Sequence, residues 1–125
     1  VAKNKIQVIG GERVDRALAA LGEAASDVLE QAAQAGAEPV RESAERLAPE
    51  LTGKLSESIV QVILELSDSE VEIAVGPDKE AFWGLYQEFG TPHHPAQPFL
   101  RPAFDENQER ILEAIADELR KELGL

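Results

Sequence analysis

The chain has 125 residues, enough for one domain with a single core, and its 24 acidic against 12 basic side chains give a net charge of −12. That balance disfavours a long basic track along nucleic acid, and the absence of cysteine excludes disulfides and thiolate metal sites. No apolar run reaches the length needed to span a bilayer, and no signal-peptide pattern opens the sequence. An acidic wall can keep a passing duplex centred by repulsion, and the same charge also serves plain solubility.

In chain order, residues 3–9 alternate polar and apolar (Lys5 and Gln7 against Ile6 and Val8) and predict a short edge strand, turned by Gly10-Gly11. From Glu12 the apolar positions Val14, Leu18, Leu21, Ala25, Val28 and Ala32 recur at threes and fours, resuming at Val40, Ala44 and Leu47, which predicts a long amphipathic helix. Gly36 and Pro39 interrupt it, so the expectation is a kink or a break into two helices there. Thr52-Gly53 predicts a turn. Residues 59–66 predict a strand with Val60, Val62, Leu64 and Leu66 on one face and Ile59, Gln61, Ile63 and Glu65 on the other. Ser67-Asp68-Ser69 is turn chemistry, and residues 70–75 alternate with Val71, Ile73 and Val75 inward, completing an antiparallel hairpin. A lone hairpin is marginal, so the first strand and the helices are expected to cover it.

Residues 82–103 concentrate the chain's unusual side chains: its only Trp, four of its five Phe and Tyr, both His and four of its seven Pro. Phe82, Leu85, Tyr86 and Phe89 share one helical face and predict a short helix with an inward aromatic stripe, stopped by Gly90. Trp83 falls off that stripe and reads as a subunit-contact candidate. The prolines at 92, 95, 98 and 102 predict a stiff extended arm, and Phe99-Leu100-Arg101 gives it two apolar anchors and a forked cation. These anchors serve either as a clamp within the chain or as a seat on a neighbour. A last helix is expected from Pro102 to about Leu123, with Ile111, Ile115 and Leu119 buried and Leu112 and Leu123 alongside. The plan is a single α+β domain over residues 1–125: a small antiparallel sheet (N-terminal strand plus hairpin) packed by a long N-terminal helix, a short aromatic helix and a C-terminal helix.

Chemistry finds little support. His93-His94 beside Glu88 lacks a third metal ligand at helical spacing, and Glu88 lacks the nucleophile and electrophile an active site requires. Glu88 is expected to pair with a cation, Arg101 or Lys54. No enzyme activity, cofactor or metal is expected. A metal-dependent hydrolase on Glu88, His93 and His94, and a cytoplasmic adaptor unrelated to virions that offers its Pro-rich arm to a partner domain, are the alternative readings.

Two blocks carry a resemblance. Glu88-Phe89-Gly90-Thr91 with Pro95-Ala96-x-Pro98-Phe99-Leu100-Arg101-Pro102-Ala103, preceded by Ala48-Pro49-x-x-Thr52-Gly53-x-Leu55-x-x-Ser58-Ile59, resembles a small tail-component family of long-tailed bacteriophages. The resemblance spans nearly the whole chain. It implies a structural virion protein of the head–tail connector or neck, a tail-completion or tail-terminator subunit assembled in the host cytoplasm. It also implies a homo-oligomeric ring, sixfold in tails of that type, between the tail-tube protein and head-closure or adaptor proteins. DNA would pass through the channel without specific binding, and no membrane is involved. The interface residues it suggests are Thr52, Gly53, Leu55, Glu88, Phe89, Gly90, Thr91, Pro95, Pro98, Phe99, Leu100, Arg101 and Pro102, joined by Trp83.

Overall fold

The computed structural model describes residues 12–49, 54–67, 69–81 and 83–124. The predicted strand over residues 3–9 and the Thr52-Gly53 turn lie outside them. Helices α1 (Glu12–Leu21), α2 (Ala25–Leu47) and α3 (Lys54–Glu57) precede strands β1 (Ile59–Leu66) and β2 (Val71–Pro77). Helices α4 (Gly84–Phe89), α5 (Leu100–Asp105) and α6 (Gln108–Leu123) follow. The architecture is α+β, with a long helix, a two-stranded antiparallel sheet and a C-terminal helix.

The long helical pattern breaks at a different place from the one expected. Gly22, at φ +59°, turns the chain through a 3₁₀ segment, Gly22–Ala24, where a side chain would be strained. Helix α2 then runs unbroken through Gly36 and Pro39. Packing overrides local propensity here: Gly36, Ala37 and Val40 are buried around the proline, and a Cβ on Gly36 would come within 2.7 Å of Ile115 Cγ1. The small residues of α2 thus let α6 approach closely. On the other side Arg41 pairs with Glu38 and Glu45 along the helix, and Glu38 accepts a 2.7 Å hydrogen bond from Gln61 Nε2 of β1.

The C-terminal helix is two helices. After α5 the chain breaks at Asn107, whose side chain is buried and donates from Nδ2 to Ser43 Oγ (2.7 Å) and to the Ala103 carbonyl (2.6 Å). Its own carbonyl accepts from Ile111 N and opens α6. Ile111 is buried as expected and Ile115 packs on the core, but Leu112 is 49% exposed, so the buried stripe is narrower than the sequence suggested.

The core gathers Val40, Ala44 and Ala48 of α2 with Leu55, Ile59, Ala81, Phe99, Ala103 and Ile111. Leu47, Val75, Trp83, Leu100, Phe104 and Ile115 pack around it.

The hairpin corrects the expected faces of β1. Its register pairs Gln61 with Val75 and Ile63 with Ile73, then slips, pairing Glu65 with Glu72 and Leu66 with Val71. Leu64 is the extra residue. One inserted residue reverses the alternation beyond it. Before the bulge Gln61 and Ile63 face α2; after it Leu66 joins Val71 on that side. Glu65 passes to the outer face, in line with Val60, Val62, Ala74 and Glu72. The apolar residues of that outer face are therefore not core: Val62 and Leu64 are 49% and 54% exposed.

Candidate functional site

Both sequence blocks converge on α4. Leu55 is fully buried, and a Cβ on Gly84 would lie 2.4 Å from its Cδ1, so α4 starts directly on the Leu55 side chain. Ser58 Oγ donates to the Leu55 carbonyl at 2.8 Å and closes α3. Gly84 also approaches Pro77 at the end of β2, with 3.2 Å from the same hypothetical Cβ to its Cγ. Trp83 is half-buried and packs against the core.

Glu88 is the centre of the arrangement. Its side chain is 1% exposed. Oε2 accepts from the amides of Phe99 (2.8 Å) and Leu100 (3.3 Å), and Oε1 from the amide (2.7 Å) and Nε (3.2 Å) of Arg101. Arg101 Nη2 donates to the Glu88 carbonyl at 2.7 Å. One carboxylate therefore caps the first turn of α5, where amides have no helical partner, and holds a guanidinium at once. Arg101 also lies over the Phe89 ring, 5.5 Å from its centroid. This is a brace between α4 and α5, closed to a substrate.

Between those anchors the chain makes a loop. Gly90 sits at φ +75° and ψ 175°, and a Cβ there would come within 2.8 Å of Ala96 N. Thr91 and His94 bond each other through their backbones, and Thr91 Oγ1 accepts from the amides of His93 and His94. Gln97 N then returns to the Gln87 carbonyl at 2.7 Å. The expected extended arm is thus a turn over residues 91–94 followed by a short run fastened at its base, because Thr91 Oγ1 holds the turn's amides and Pro92 sits within it. Residues 92–98, including Pro95 and Pro98, are all exposed.

The anchors at its end divide. Phe99 is 0% exposed, Leu100 and Pro102 are half-buried, and Leu100 packs on the core. Of the two uses the sequence left open for Phe99, the structure shows the clamp within the chain. The aromatic stripe of α4 is also not uniformly inward: Tyr86 is 56% and Phe89 45% exposed, whereas Gly84 and Glu88 are buried. Burying Glu88 to cap α5 turns the adjacent ring outward. Among the described residues no group of three or more His, Cys, Asp or Glu side chains is placed to hold a metal ion, and no helix is long and apolar enough to cross a membrane.

Sequence reasoning missed Gly84, the bulge at Leu64 and the Asn107–Ser43 pair. Gly84 was visible as a glycine inside a helical pattern, the one signal that marks a close approach.

The geometry defines a small α+β domain whose motif residues brace loops and leave apolar side chains outside. Residues 12–90 match the family described as "Bacteriophage HK97-gp10, putative tail-component", and the chain belongs to that family. Membership supports a structural role in a phage tail and places the protein in the virion. The match ends at Gly90, so the block from Pro95 to Ala103, α5 and α6 lie beyond it, and the expected near-complete coverage is shortened accordingly. No curated protein and no solved structure matches the chain.

Proposed function

We propose that the protein is a ring-forming subunit of the phage head–tail connector, a tail-completion or tail-terminator protein. In this reading six copies close a ring between the tail-tube protein and head-closure or adaptor proteins, with DNA passing through without specific binding. The observation that supports it is the placement of exposed apolar side chains on two separate surfaces. Val62 and Leu64 stand on the outer face of the hairpin, and Tyr86 and Phe89 on α4. Helix α4 meets the Pro77 end of β2, while Leu64 lies toward the hairpin tip, roughly 15 Å away at about 3.3 Å per residue. Apolar side chains held in water on two surfaces gain by being covered on assembly. Cyclic closure needs two different patches on each subunit, and the chain offers them.

The exposed loop after Phe89 suits an axial contact. Residues 89–100 contain no Asp, Glu, Lys or Arg, the longest such run in the sequence. A charge-free surface lets a strongly acidic subunit approach another protein without repulsion. Native mass spectrometry of the full chain tests the reading: a discrete ring mass is expected, and a monomer at every concentration overturns it.

A further inference from the structure

Among the described residues the sheet of this subunit stops at two strands. In an antiparallel pair every second amide and carbonyl of each strand points away from its partner, so a third strand can add on either side. The two sides are not equivalent. Strand β1 carries the bulge at Leu64, where its register against β2 slips, and a bulge breaks the even spacing that another strand needs. The extra residue is in β1, so β2 keeps a regular extended run from Val71 to Gly76. Burial follows the same division. Every residue of β2 is half-buried, outer face included, whereas Val62 and Leu64 on the outer face of β1 stand in solvent.

A segment that fits the β2 edge lies in the same chain. Residues 3–9, outside the described residues, alternate Lys5 and Gln7 with Ile6 and Val8, and their seven positions equal the length of β2. Placed beside β2, Ile6 and Val8 share the α2 side with Val71, Ile73 and Val75 and widen the apolar inner face. Lys5 and Gln7 then share the outer side with Glu72 and Ala74. A slip of one residue would turn Lys5 and Gln7 onto the core, so the register is strongly specified. Reach is sufficient. Ile59 lies in the core with Val40 and Ala44, and Gln61, two residues on, bonds to Glu38. Strand β1 therefore runs back along α2 toward the end that α1 joins. Helix α1 is about 15 Å long at 1.5 Å per residue. The residues before Glu12 span about 36 Å when extended, against about 23 Å for β2.

We infer that residues 3–9 bind the free edge of β2 in their own subunit and close it as a third strand, leaving the bulged β1 as the sheet's other border. An open, regular edge is a template for backbone pairing with any other chain. With that edge filled by the chain's own segment, copies meet through side chains such as Val62 and Leu64 and not by extending the sheet. The strand belongs to the single subunit, with or without a ring.

Amide exchange of the full chain, resolved by residue and followed over a range of concentrations, tests this. Both alternating sets of β2 amides are expected to be protected, whereas β1 protects only the set that bonds to β2. Fast exchange of the β2 set directed away from β1 would overturn the inference. So would protection that disappears on dilution, since a strand from a second copy would then be the occupant. Ile6→Asp with Val8→Asp places two charges on the buried side and is expected to speed exchange of that β2 set roughly tenfold or more. Gln7→Ser, on the outer side, is the control and leaves it as in the wild type. A double variant that exchanges like the wild type removes residues 3–9 as the occupant. Ring mass is read separately, so a monomer with both β2 sets protected keeps the strand and loses only the ring.

Discussion

The carboxamide nitrogen of Asn107 lies 2.7 Å from the hydroxyl of Ser43, with both side chains sealed from solvent, and this contact fixes where the last two helices part company. A buried polar pair is stable only when each member is satisfied, and removing one leaves the other's polar group desolvated at about 1–3 kcal/mol. Asn107→Ala also removes the bond to the Ala103 carbonyl, so it is expected to destabilise more than Ser43→Ala. The double variant should be less damaging than the sum of the two. Urea unfolding of the four proteins in a cycle measures this, and strict additivity would show that the pair is not coupled.

Glu88 is the residue on which the α4–α5 junction depends. Glu88→Ala leaves the amides of Phe99, Leu100 and Arg101 without their acceptor and Arg101 without its counter-charge. The expected loss is about 1–3 kcal/mol in stability, the range for leaving buried donors without an acceptor, since the Arg101 side chain is 45% exposed and water can take over its charge. Glu88→Gln keeps one acceptor oxygen but turns an amide donor toward other donors, so it falls between wild type and alanine. Hydrogen exchange at residues 99–101 should accelerate in both variants, and unchanged protection there would refute the brace.

How much of this was legible in advance depended on whether the determinant was local. The amphipathic period of α2, the hairpin and the stop at Gly90 follow from neighbouring residues, and the structure contains all three. The pairing of Glu88 with Arg101 was one of two cation choices and came out through chemistry alone. What escaped was non-local. Nothing near Leu64 signals the bulge, which arises from pairing with β2, and the outward turn of Tyr86 and Phe89 follows from where Glu88 must point. Nothing near Pro39 says that Ile111 and Ile115 will pack against the helix and carry it through.

Gly84→Ala tests close approach. The added Cβ would lie 2.4 Å from Leu55 Cδ1, and Leu55 is itself fully buried, so it has little room to yield. Overpacking of this kind costs about 1–3 kcal/mol. Combining it with Leu55→Val removes part of the clash, so the double variant should be less destabilised than the sum of the two single changes in thermal melts. Gly76→Ala serves as a control, since a Cβ there meets nothing within 4 Å.

Glu38 gives the acid response a defined sign. Its hydrogen bonds with Arg41, aided by the charge of Arg41 and the bond from Gln61, hold its carboxyl below the ordinary glutamate value against the opposing effect of partial burial. A carboxyl with a lowered folded-state pKa binds protons less readily when folded, so its contribution is present above its unfolded pKa, about 4.3, and is lost as pH falls through the folded value. The side chain is 42% exposed, which makes the effect small and salt-sensitive. Glu38→Gln is expected to flatten the decline in stability between neutral and acidic pH, and an unchanged slope in denaturation midpoints against pH would contradict it.

Interior and exterior apolar residues should separate cleanly. Phe99 is wholly enclosed, so Phe99→Ala opens a cavity and costs about 3–5 kcal/mol whatever the state of assembly. Val62→Thr with Leu64→Ser removes side chains that are half in water already, and the folded subunit should change by no more than roughly 0.5 kcal/mol. If the outer hairpin face is a contact, the same pair of changes lowers the ring fraction at fixed concentration while leaving the monomer's unfolding midpoint in place. A drop in midpoint without loss of assembly would mean that Val62 and Leu64 support the fold of their own chain, and the face would have to be withdrawn as an interface.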